Sequence, residues 1–235
     1  MRKPVFILIL SVFLLFSCTK NQENKQPQTD SIHQPKDSLI IDSHYTFEQA
    51  IAGSNAPQHI IDQLILLDVV YYATDNKLHK GQLLTNKKIA EDIRYLFDFM
   101  LQERFPVAKA IPIVNYQWND VLSMQDNNTY SFCYRNVSFS AHAMGMAIDI
   151  NPYFNPCRWK EGHKYGKRKD QPEGAVYNPQ VPGTFTPEHP VVLEFQKRRF
   201  HWGRTMTEKF DDHHFEKAGL RKPKVVVDTI VVDSI

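Results

Sequence analysis

The sequence predicts an α+β fold. Three observations lead there. Apolar spacings of both helical and strand type occur along the chain, and they follow one another without a regular βαβ rhythm. A content of 42% hydrophobic and 12% aromatic residues in 235 also suffices to bury a substantial core.

The folded part is expected to begin between Tyr45 and Ile60. Ile60, Ile61, Leu64 and Leu67 fall on one helical face, predicting a helix over residues 60–67. The β-branched and aromatic run Asp68-Val69-Val70-Tyr71-Tyr72 predicts a strand, and Asp75-Asn76-Lys77 a turn into a second short strand reaching Leu84. Asn86 can cap a helix whose stripe of Ile89, Ile93, Phe97 and Met100 faces the core, with Pro106 as its stop. Residues 129–135 predict a strand. Residues 147–151 predict another, turning Ile148 and Ile150 to the core and Ala147, Asp149 and Asn151 to the opposite side. Residues 155–187, rich in Lys, Gly and Pro, predict a loop region. Thr186-Pro187 then reads as N-cap and first-turn proline of a helix burying Val191, Val192 and Phe195. His214-Phe215-Glu216 predicts the last strand, and the Val, Asp and Ile of residues 221–235 form a tail or an edge strand.

The N-terminus predicts export. Arg2 and Lys3 precede an apolar run from Val5 to Phe16, interrupted by Ser11 and shorter than the roughly 20 residues that span a bilayer. A charged start and a short apolar segment make residues 1–17 a signal peptide. Leu15-Phe16-Ser17-Cys18 resembles the bacterial lipobox, which implies cleavage before Cys18 and a lipid anchor on its sulfur. Thr19 and Lys20 follow in place of an aspartate that retains such proteins at an inner membrane, so the resemblance points to the outer membrane of a two-membrane cell. After Cys18, residues up to 44 lack aromatic side chains and are rich in Gln, Asn, Lys, Asp and Ser. Such a stretch reads as a flexible tether.

Lys and Arg number 28 against 26 Asp and Glu, and loss of Arg2 and Lys3 with the signal brings the two into balance. A neutral mature chain argues against a nucleic-acid partner. Three cysteines exclude a disulfide-rich miniprotein.

Most of the ten histidines have plain explanations. His33 and His44 fall in the tether, and His59, His79, His163 and His189 lie beside turn residues and are expected at the surface. Two clusters differ: residues 140–149, which carry Ser140, His142, Gly145 and Asp149, and the run Asp211-Asp212-His213-His214-Phe215-Glu216. Imidazole and carboxylate together bind zinc, and three protein ligands with an open fourth position make a catalytic site. Histidines satisfied by structural hydrogen bonds are the alternative. His142 and Asp149 are an odd number of residues apart, so one straight strand would point them to opposite faces. Gly145 lets the chain turn between them.

The pattern SxHxxGxAxDI over Ser140 to Ile150, then Trp202-Gly203, then D-x-x-H-F-E from Asp211, resembles the zinc D-Ala-D-Ala carboxypeptidase and L-Ala-D-Glu peptidase family of VanY type, with the hedgehog/DD-peptidase fold. Gly81-Gln82, Phe105-Pro106, Tyr116, Asp120, Tyr134-Arg135 and Asn151-Pro152 extend the resemblance to about residues 60–217. It implies a small antiparallel sheet with flanking helices, and Zn2+ held by His142, Asp149 and His214. It places the general acid–base role on Asp211. It makes Arg135 the residue that holds a substrate carboxylate or the developing oxyanion. His213 is the competing ligand, but that choice would move the acid–base role onto Phe210, which carries no proton. Asp212 is then a flanking residue that can accept from a ligand imidazole, and Ser140 fixes the His142 loop by hydrogen bonding. The family's W-G-G-x-W is replaced by Trp202-Gly203-Arg204-Thr205-Met206, which alters the pocket wall and removes no ligand.

The implied function is hydrolysis of peptidoglycan stem peptides by metal-activated water, of carboxypeptidase or endopeptidase type, in a domain over residues 45–220. The rival expectation is a non-catalytic, zinc-containing wall-binding lipoprotein. Cys133 and Cys157, left once Cys18 is lipidated, can form a disulfide in an oxidising compartment or remain buried thiols.

Overall fold

Strands β1 (Ile40–Ile41), β2 (Leu64–Tyr72) and β3 (Leu78–Asn86) form the first sheet of this computed structural model, in the order β1-β3-β2. The structure describes residues 39–137 and 140–219, all within one unit, Asp37–Ile235. The signal peptide, Cys18, the tether up to residue 38 and the tail of residues 221–235 lie outside the described residues.

The remaining elements are helices α1 (Phe47–Ile51), α2 (Gln58–Ile61), α3 (Ala90–Gln102) and α4 (Asp120–Gln125), strands β4 (Ala147–Asp149) and β5 (Cys157–Trp159), helix α5 (Pro190–Lys197), and strands β6 (Phe200–Trp202), β7 (Lys209–Asp211) and β8 (His214–Lys217). Among the described residues, β4-β8-β6 make a second, antiparallel sheet, and β5 pairs antiparallel with β7. The class is α+β, with small sheets and few helices. The first sheet is mixed, since β1 runs parallel to β3. Among the described residues no helix is long and apolar enough to cross a membrane.

The core joins both faces of this arrangement. Ile93, Leu96, Phe97 and Met100 of α3 pack with Leu67, Val69 and Leu83 of the first sheet and with Ile148, Phe195, Trp202 and Phe215 around the second. Phe215 is fully buried and stacks on Phe195 with ring centroids 4.2 Å apart. Truncating such a ring to alanine costs about 3–5 kcal/mol, so the residue following His214 ties that histidine to the core.

Several expectations need correction. The helix expected over residues 60–67 is a single turn, because Leu64 and Leu67 belong to β2. That strand pairs with β3 along its whole length, from Leu64↔Asn86 to Tyr72↔Leu78. The ladder satisfies backbone groups that a short helix would leave open at its ends, and it outweighs the helical spacing. Asn86 ends β3 and does not cap α3; its Oδ1 accepts from Lys88 N at 3.0 Å. Residues 129–135 form no strand and make only the isolated bridges Ala110↔Thr129 and Tyr130↔Asp149. The α5 N-cap is His189, whose Nδ1 accepts from Val191 N, with Pro190 as the first-turn proline in place of Thr186-Pro187. Strand β5 lies in the region expected as loop. The folded unit also starts before Tyr45, because Ile40 and Ile41 pair with His79 and Lys80. His79, expected at the surface, is largely buried, with Nδ1 2.9 Å from Asp42 Oδ1.

Candidate active site

Cross-strand register builds half of the site. In β4 and β8, Asp149 stands directly opposite His214, so two residues distant in sequence project from one face of the same ladder. The third donor arrives on a turn. His142 opens a short 3-10 segment, His142–Met144, that ends at Gly145 with φ +64°. A Cβ on Gly145 would lie 2.9 Å from Asn86 N, so both the left-handed backbone and the close approach need glycine. Ser140 fixes this turn as expected, its Oγ accepting from Ala143 N at 3.2 Å.

The three donor atoms form a near-equilateral triangle. His142 Nε2 lies 3.1 Å from Asp149 Oδ1 and 3.0 Å from His214 Nδ1, and His214 Nδ1 lies 2.9 Å from Asp149 Oδ1. Donors about 2.0–2.1 Å from one tetrahedral ion would stand roughly 3.3 Å apart, so little rearrangement separates this triangle from a ligand set. All three residues are buried, and together they can hold a metal ion. His142 Nδ1 donates to the Ser131 carbonyl at 2.7 Å, which leaves Nε2 as the ligating nitrogen. His214 Nε2 lies 3.5 Å from Glu216 Oε2. Burial raises the Asp149 carboxyl, but His142 and His213 beside it and the hydrogen bonds of the two ligand rings outweigh burial and hold it well below the usual range. It therefore stands ionised, as a metal ligand must.

His213 turns away from the triangle. Its Nδ1 donates to the Asn155 carbonyl at 2.7 Å, and its Nε2 lies 3.0 Å from Asp211 Oδ1 and 3.7 Å from Asp149 Oδ2. Asp211 closes β7 opposite Cys157, is buried, and pairs with Lys209 through Oδ2. Its Oδ1 is buried and faces His213 Nε2 at 3.0 Å. Burial opposes ionisation of Asp211, yet His213 and Lys209 override it and hold the carboxyl far below its ordinary range.

These groups open into a cleft of about 340 Å³ lined by His142, Asp149, His214, Asp211 and Arg135. Arg135 forms an ion pair with Asp120 and donates to the Tyr130 hydroxyl at 3.3 Å. Its side chain is 40% exposed and presents the guanidinium to the cleft wall.

Asp212 does not meet a ligand imidazole. Its side chain is fully buried between Arg158, 2.7 Å away, and Arg204, 2.9 Å away. Arg204, one of the departures in sequence, thus serves as its ion-pair partner, while Met206 lines the cleft. Of the two alternatives for Cys133 and Cys157, the structure has the buried free thiols. Burial pushes their pKa values up to about 11 and about 12, respectively. Sequence reasoning missed Lys209 as a site neighbour; only its place in the strand that carries Asp211 could have shown it.

Residues 135–217 match the model of a family described as D-alanyl-D-alanine carboxypeptidase. This segment is similar to that family over about a third of the chain. It runs from Arg135 to Lys217 and contains all three donors and Asp211, while Asp120 and Tyr130 of the cleft lie before it. The motif resemblance reached back to residue 60, whereas the family match begins at Arg135. The family is one of peptidases, which places the chemistry of this segment among hydrolases. No curated protein and no solved structure matches the chain.

Proposed function

We propose that the protein is a zinc peptidase that hydrolyses an amide bond in peptidoglycan stem peptides, either as a D-Ala-D-Ala carboxypeptidase or as an L-Ala-D-Glu endopeptidase. We further propose that it is anchored to the cell envelope by lipid on Cys18, at the outer membrane if the cell has two. One observation carries the catalytic reading: a His142–Asp149–His214 donor triangle shares its cleft with an ionised carboxylate, Asp211, held between Lys209 and His213.

Bound to the triangle, zinc supplies Lewis acidity, polarising an amide carbonyl and lowering the pKa of a water towards about 7. The protein's own residues do the rest. Asp211 takes a proton from the water as its oxygen bonds to the carbonyl carbon. It then delivers that proton to the leaving nitrogen as the C–N bond breaks. Lys209 and His213 keep Asp211 ionised and in place between these steps. Arg135, oriented by Asp120, holds a substrate carboxylate or the carbonyl oxygen as charge develops on it. Ser140 attacks nothing; its hydroxyl is engaged in holding the His142 turn.

The test is mass spectrometry of muropeptides after incubation with the zinc-loaded protein. Loss of a terminal D-Ala or scission within the stem supports the reading and tells the two bond types apart. Unchanged muropeptides would overturn it in favour of the wall-binding lipoprotein.

A further inference from the structure

A second cavity, of about 640 Å³, lies beside the cleft and shares Met206, Lys209 and Glu216 with it as a common wall. The β5–β7 ladder joins the two. Cys157↔Asp211 stands at the cleft, and Trp159↔Lys209 stands two residues along, about 7 Å away.

The lining has a definite chemistry. The Trp159 and Tyr165 rings meet edge-on with centroids 5.6 Å apart, and Tyr165 is 49% exposed. Thr207 adds a hydroxyl on an exposed residue, Thr205 adds one that donates to the Trp202 carbonyl at 2.8 Å and can still accept, and Met206 adds an apolar wall. The two lysines at this cavity are already paired, Lys164 with Glu208 and Lys209 with Asp211. An anionic ligand would have to displace a carboxylate from each. A neutral ring with one apolar C–H face and hydroxyl or amide groups at its edge fits without that cost. Aromatic side chains pack against such a face while the threonine hydroxyls reach its edge.

We propose that this cavity binds an N-acetylated pyranose of the glycan strand from which the stem peptide hangs. The sugar identity rests on the proposed function in its L-Ala-D-Glu form, since only a bond near the start of the stem peptide would bring the glycan to the shared wall. Seating a sugar there would fix the register of the peptide over the metal donors.

The test is calorimetric titration of the full-length protein with di-N-acetylchitobiose, a neutral probe that carries no peptide. We expect saturable binding, weakened at least tenfold by Tyr165→Ala, which removes an exposed ring, and likewise by Thr207→Trp, which fills the cavity. An equivalent change at a distant exposed ring, Tyr95→Ala, should leave affinity as in wild type. Absence of saturable binding, or wild-type affinity in Tyr165→Ala and Thr207→Trp, would overturn the proposal. The two readings fail separately. A protein that binds the disaccharide but cleaves no stem peptide keeps the sugar site and loses the peptidase; the converse result loses only the site.

Discussion

His142 Nε2 and His214 Nδ1 stand 3.0 Å apart although 72 residues separate them in the chain. They meet through opposite nitrogens because each ring is held from behind, His142 by the Ser131 carbonyl and His214 near the Glu216 carboxylate. Asp149 completes the triangle because strand register sets it directly across from His214.

This geometry distinguishes His214 from its neighbour. The full-length protein, purified without chelator, should carry one zinc by elemental analysis. His214→Ala should abolish binding, whereas His213→Gln should largely spare it. The reverse pattern would exchange the two histidines in the site.

Gly203 is predicted to admit no side chain. A Cβ there would lie 2.5 Å from the Asp211 carbonyl oxygen and 3.0 Å from His214 Cβ. Gly203→Ala should therefore cost about 1–3 kcal/mol in chemical denaturation, and it should weaken zinc retention by displacing Asp211 and His214. Wild-type stability together with full zinc content would show that the β6–β7 connection yields more easily than this packing implies.

Asp212→Ala should act on stability. The substitution leaves Arg158 and Arg204, each about a quarter exposed, without their shared carboxylate. For a pair buried on one side only, a loss of about 2–3 kcal/mol is expected, measurable by urea unfolding. The expectation that Asp212 accepts from a ligand imidazole gives way to this pairing with Arg158 and Arg204. A variant as stable as wild type would contradict the role in the fold.

The site was more legible than the fold around it. Local spacing alone left His142, Asp149 and His214 open between a metal site and structurally satisfied histidines; the motif resemblance named them and Asp211, and the structure brings the three donors together. The helix expected over residues 60–67 failed because nine paired positions with β3, set by a partner distant in sequence, overrode a local periodicity. Strand β5 was illegible for the same reason, since a three-residue segment gains its conformation from β7 and from the bridge of Cys157 to Gln171. Asp212 looked like a neighbour of the ligand rings because sequence adjacency does not show which way a buried carboxylate turns. Its partners, Arg158 and Arg204, come from separate segments.

Anchoring by Cys18 is tested by Cys18→Ala expressed in a bacterial host. The variant should leave the membrane fraction and lose its partition into detergent. Fractionation like wild type would refute lipid attachment at that residue.

The central claim is that Asp211 moves the proton for a reaction at the His142–Asp149–His214 donors. Its most direct test is turnover and zinc content of Asp211→Asn, which keeps the shape of the side chain and removes its basicity. Zinc should remain at one ion per chain, while cleavage of stem peptides falls by about 10²–10⁴-fold. Cleavage at the wild-type rate by the zinc-loaded variant would contradict the account.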